Sequence, residues 1–136
     1  MARRLALPVA VLALLACAPT ASASLAGFRS PSGNIGCYVS GQGARCDIRN
    51  KDWDAPPKPA SCELDWGFGL AVDRHGRADY VCAGDTAIDP SNPVLRYGDR
   101  ITRGRFRCKS KQSGMKCVNR RNGHGFKISK QRAQPF

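Results

Sequence analysis

Helical periodicity is missing from this sequence. Beyond residue 16 no window sustains apolar residues at the spacing of an amphipathic helix, which leaves strands and turns to build the fold. Metal-binding patterns are missing too. There is no Cys-x-x-Cys, the two histidines, His75 and His124, lie far apart in turn contexts, and Asp47, Asp65 and Asp79 lack the spacing of a calcium loop. These absences argue against a metal site, and nothing in the chain implies a cofactor. No serine is framed as a nucleophile elbow, so a triad assembled from Asp85, His75 or His124 has no support. No catalytic residue is assigned, and the chain reads as a non-enzyme.

A membrane-spanning run is also absent. Residues 5–16 form an apolar stretch of 12 residues, where a span needs roughly 20, and Pro19 follows closely. Arg3 and Arg4 precede that stretch and Ala21-Ser22-Ala23 follows it, which is the layout of a secretory signal. Residues 1–23 are therefore expected to be a signal peptide, and residues 24–136 a single domain. Leu14-Leu15-Ala16-Cys17 resembles a lipobox, although Leu15 is bulky for its place. A form lipid-anchored at Cys17 stands beside plain secretion.

Acidic residues nearly vanish after residue 95. Residues 24–95 hold seven Lys or Arg and nine Asp or Glu, a balance of −2, whereas residues 96–136 hold thirteen Lys or Arg and only Asp99, a balance of +12. A field of one sign steers and holds polyanions. For an exported protein these are an anionic envelope polymer, an anionic membrane surface or an acidic protein, with nucleic acid met only outside the cell. The competing account is that a solvated sheet face must carry something polar, and that cations keep edge strands from pairing.

What the sequence does contain is an even set of six cysteines behind the signal: Cys37, Cys46, Cys62, Cys82, Cys108 and Cys117. In an oxidising compartment they form three disulfides. Cys37 and Cys46 flank eight residues, as do Cys108 and Cys117. Folding about Gly41-Gln42, a two-residue turn of the Gly-x type, and about Gln112-Ser113 sets each pair at facing strand positions, and Cys62 with Cys82 remains. A short chain rich in glycine and proline needs such staples.

The clearest pattern spans residues 103–130. Phe106, Cys108, Met115, Cys117, Phe126 and Ile128 alternate with Arg107, Lys109, Lys116 and Lys127, and turn clusters at residues 112–114 and 122–125 cut the stretch into three strands. The expectation is a basic meander over about residues 96–130, with a stapled apolar inner face and a cationic outer face. Arg107, Lys109, Lys111, Lys116 and Lys127, with Arg120 and Arg121 at the turn, are the candidate anion-binding residues. Phe106 and Phe126 fall on the inner face, which leaves the polar face without aromatic stacking platforms.

Earlier in the chain, residues 24–29 form an opening segment with Phe28 as the first core residue, and residues 35–39 and 44–48 form a stapled hairpin. Three prolines make residues 52–61 a polyproline-like connector anchored by Trp53. Residues 70–72 and 78–82 read as strands around Asp73-Arg74-His75-Gly76. Residues 84–86 read as a turn, 89–93 as a loop, and 101–106 as a strand leading into the meander. Trp53 and Trp66 read as core or connector anchors rather than glycan-stacking platforms. The fold class is all-β: a small disulfide-stapled sandwich or partly open barrel of short antiparallel hairpins. The two equally spaced cysteine pairs, with similar Ser-Gly stretches before Cys37 and Cys117, suggest two stapled hairpins packed together, although chance similarity explains the echo almost as well.

Several segments together resemble a group of small exported actinobacterial proteins known only as a domain of unknown function. They are Ser30-Pro31-Ser32-Gly33-Asn34-Ile35-x-Cys37, Arg45-Cys46-Asp47-Ile48, Asp65-Trp66-Gly67, Cys82-Ala83-Gly84-Asp85-Thr86, Tyr97-Gly98 and Gly123-His124-Gly125-Phe126. The resemblance covers the mature chain. It implies export and paired cysteines, and no activity. The functional expectation is a secreted or envelope-associated monomer whose cationic face engages an anionic partner. The alternative is a protein–protein module such as an inhibitor of an exported hydrolase.

Overall fold

Alternation of apolar and polar residues produces strands in two antiparallel sheets that enclose one core. The computed structural model describes residues 8, 10–17 and 24–136. The signal features at Arg3, Arg4 and Ala21-Ser22-Ala23 lie outside the described residues. Residues 10–17 carry no regular structure and are exposed.

The first sheet runs in sequence order: β1 (Ala26–Arg29), β2 (Ile35–Val39), β3 (Gly43–Ile48), β4 (Trp66–Asp73) and β5 (Asp79–Cys82). The second is also a simple meander, of β6 (Arg100–Arg103), β7 (Phe106–Lys111), β8 (Gly114–Asn119), β9 (Gly125–Ile128) and β10 (Ala133–Pro135). Among the described residues there is no helix, and the sheets do not close into a barrel, so the architecture is a sandwich. Disulfides join Cys37 to Cys46, Cys62 to Cys82 and Cys108 to Cys117. Three disulfides in so small a chain suggest an exported or extracellular protein.

Phe28, Cys37, Val39, Cys46, Ile48, Leu70 and Val72 of the first sheet meet Phe106, Cys108, Met115, Cys117, Phe126 and Ile128 of the second, all buried. Removing each large side chain from water contributes roughly 1.5–3 kcal/mol. The two hairpins closed by the nine-residue disulfides pack directly on one another, with Cys46 Sγ 3.8 Å from Cys117 Sγ at the centre of the core. The similarity between the two stapled stretches thus has a physical counterpart.

Several local expectations need correction. Residues 101–106 are not one strand. The chain reverses at Gly104-Arg105, with Arg103 facing Phe106 and Gly104 at φ 55°, a backbone state that glycine adopts at little cost. Gly41 is not among the positive-φ glycines, so the β2–β3 turn has the expected register without the Gly-x geometry proposed for it. The opening segment forms strand β1, and β4 extends back to Trp66 through a bulge. Strand β10 was not anticipated. It is three residues long and ends in Pro135, which a sheet accepts at an edge.

The connector behaves as its prolines and tryptophans suggest. The Trp53 indole N–H donates to the Ser129 carbonyl at 2.9 Å and the Trp66 indole N–H to the Pro56 carbonyl at 2.8 Å. Tyr80 packs between the two rings, with centroids 6.2 and 6.0 Å away. Both tryptophans therefore hold the connector in place.

Candidate functional site

Phe106, Cys108, Cys117 and Phe126 point inward, so the period of two sends their neighbours to the outer face of the second sheet. There the register sets Arg100 opposite Lys109, Lys109 opposite Lys116, and Lys116 opposite Lys127. With strands about 4.8 Å apart, this makes a straight row of four cations roughly 14 Å long. Ion pairs among the described residues are Arg45–Asp47, Arg45–Asp85 and Arg96–Asp99, and none includes a member of the row.

The remaining candidates divide. Arg107 lies beside the row, its Nε donating to Thr102 Oγ1 at 3.2 Å. Its guanidinium is pushed below the ordinary arginine range by the charge of Arg120, with desolvation and Arg100 adding to the effect. Lys111 closes the β7 end of the face. Arg121 belongs elsewhere: together with Arg74 of the first sheet's β4–β5 turn it acts on Arg105, whose own pKa is lowered by desolvation first and then by these two charges. Sequence reasoning missed Arg100, because the strand holding it was started at Ile101. The signal was the alternation Arg100-Ile101-Thr102.

Lys111, Lys116 and Lys127 also line a surface groove of about 410 Å³ whose remaining wall is Gln134, Pro135 and Phe136. Lys116 Nζ lies 5.7 Å from the Phe136 ring centroid, a cation–π distance. The expectation of a face without aromatics is corrected here. Phe106 and Phe126 do point inward, but β10 pairs with β9 and brings Phe136 to the rim. The groove thus brings three lysines and one aromatic residue together.

Facing like charges destabilise a sheet. Lys116 faces a lysine on each side, so Lys116→Thr should relieve two repulsive contacts and add a β-branched residue. The expected result is a fold more stable by about 0.5–1 kcal/mol in urea denaturation; a loss of stability would show that Lys116 serves the fold.

The outer face of the first sheet carries a different arrangement. Arg45 and Asp47 flank Cys46 and so point away from the core, yet both are buried. Arg45 Nε and Nη2 donate to the two Asp47 oxygens at 3.0 and 2.6 Å, and Nη1 donates to Asp85 Oδ1 at 2.9 Å. The Ala87 N–H donates to Asp47 Oδ2 at 2.8 Å. Burial alone would lower the Arg45 pKa, but its hydrogen bonds to Asp47 and Asp85 outweigh that and raise it. The same hydrogen bond holds the Asp85 carboxyl below its usual range. This clamp fixes residues 83–88 across the sheet, and Gly69 leaves the space that Asp47 occupies. The Asp85 carboxylate is thus engaged by Arg45, while His75 and His124 sit in separate turns on different sheets. Cys17 is exposed and unpaired.

The model of a family of unknown function, DUF6636, matches residues 6–136, and the chain belongs to that family. No curated protein and no solved structure matches it.

Proposed function

We propose that this member of a family of unknown function is a non-enzymatic binding protein, exported to the cell envelope or beyond, that engages an anionic partner through the outer face of its second sheet. The observation that carries the reading is the row Arg100–Lys109–Lys116–Lys127. Four cations are held side by side, at a cost in stability, without an ion-pair partner among the described residues. A face needed only for solubility would be served better by interspersed signs. An anionic polymer or membrane surface neutralises the whole row at once and releases its own counterions.

The test is retention of the purified chain on isolated envelope and on a phosphate-bearing resin across a salt gradient. Four neutralised contacts give a slope of log affinity against log salt near −3, taking about 0.7–0.9 per contact. Retention that ignores salt would overturn the reading. It would instead favour a protein–protein module on the first sheet, where Phe68 is 57% and Leu64 53% exposed.

A further inference from the structure

At one end of the sandwich a crevice of about 170 Å³ opens between the sheets. Ser30 and Ser32 of the β1–β2 turn line it together with Ser110 of β7, Ser129 just after β9, and Tyr97. Ser110 is 1% exposed, and its Oγ has no hydrogen-bond partner among the described residues. An orphaned buried hydroxyl is uncommon and calls for an explanation. The crevice around it carries the hydroxyls of Ser30, Ser32 and Ser129 beside the apolar Ile35 and Met115. Ser129 Oγ accepts from the Arg132 N–H at 3.1 Å, which leaves its own O–H free to donate. Ser30 Oγ accepts from the Ile35 N–H at 3.1 Å and pairs with Ser32 Oγ at 3.2 Å.

Lys111 is a wall of this crevice and also of the lysine groove on the outer face. The two sites are therefore neighbours that share one lining residue. We infer that the crevice is the subsite for the hydroxyl-bearing part of a polyhydroxylated anion whose charged groups lie along Lys111, Lys116 and Lys127. Hydroxyls both donate and accept, and so they match the mixed capacity of Ser30, Ser32, Ser110 and Ser129. A bare polyphosphate or polycarboxylate brings only acceptors. The ligand class is a polyol phosphate or an acidic sugar polymer, which share hydroxyls beside an anionic group. This inference rests on the anion-binding reading and adds selectivity to it.

The experiment compares four polymers matched in charge: glycerol-phosphate oligomers against inorganic polyphosphate, and oligogalacturonate against polyacrylate. The full chain is titrated with each, beside the Ser110→Ala variant. Removing an unpartnered buried hydroxyl does not destabilise the fold, so the variant is expected to remain native. At least one hydroxylated polymer should bind about threefold to tenfold tighter than its hydroxyl-free counterpart, the yield of one or two net hydrogen bonds. Which of the two shows the advantage identifies the source. Ser110→Ala should abolish the advantage and leave polyphosphate binding unchanged. Equal binding within both pairs, or an advantage that survives Ser110→Ala, overturns the subsite while leaving the cationic face intact. Failure of all four polymers to bind overturns both.

Discussion

The double variant Lys111→Glu/Lys116→Glu should lose polyanion binding by on the order of a hundredfold and yet fold at least as stably as the parent. Each reversal removes an attraction and adds a repulsion, together worth about 1.4 kcal/mol or a factor of ten per site. The fold responds in the opposite direction. A glutamate at position 116 faces Lys109 on one side and Lys127 on the other, so two repulsive cross-strand contacts become attractive. Position 111 faces Gly114 at the hairpin end and carries little of the sheet. Titration with polyphosphate and urea denaturation on the same samples separate the two effects. Binding that survives the double reversal would remove the outer face from consideration. A fall in stability would mean that the lysines are structural.

The second large effect lies on the other sheet. Asp47→Ala should destabilise the protein by about 3–5 kcal/mol, the usual cost of leaving a buried charge without its partner. Arg45 would retain only Asp85, which is exposed to solvent, and the Ala87 N–H would lose its acceptor. Residues 83–88 should then open first, seen as fast amide exchange at Ala87 and Ile88 while the β7–β9 amides stay protected. The paired replacement Arg45→Met/Asp47→Leu should recover much of the loss, since buried ion pairs are often replaceable by apolar residues of similar volume. An Asp47→Ala variant of unchanged stability would show that the clamp carries nothing.

Legibility in the sequence followed sequence distance. The inner face of β7–β9 could be read because alternation, a two-residue turn and equal cysteine spacing agree within a single stretch of chain. The all-β class followed from the same short strands and turn signals, which left sandwich and partly open barrel side by side; the open edges of the two sheets decide for the sandwich. The clamp could not be read this way. Arg45 and Asp47 have the spacing of outward-facing residues, and only a segment 40 positions later buries them. Strand β10 lacked any pattern of its own, since three residues ending in proline become a strand only when β9 offers an edge. Missing it also hid Phe136, and with it the aromatic wall of the lysine groove. Arg100 was lost to a boundary placed one residue late, and Arg121 was assigned to the face because a turn's direction is not encoded in its charge.

The contact between the two central disulfides bears on how the chain oxidises. Four sulfurs share one small volume of the core, and Cys46 and Cys117, which are not bonded to one another, come within 3.8 Å. That pair is the natural wrong partnership, across a separation of 71 residues, against nine for each correct hairpin bridge. Closing the longer loop costs about 1.8 kcal/mol more entropy, which favours the local bridges roughly twentyfold before any sheet has formed. Loop closure therefore favours the local hairpin bridges over the cross-sheet pair. Each seals its thiols within a short loop, and when the two sheets meet no free thiolate remains in the core to start an exchange.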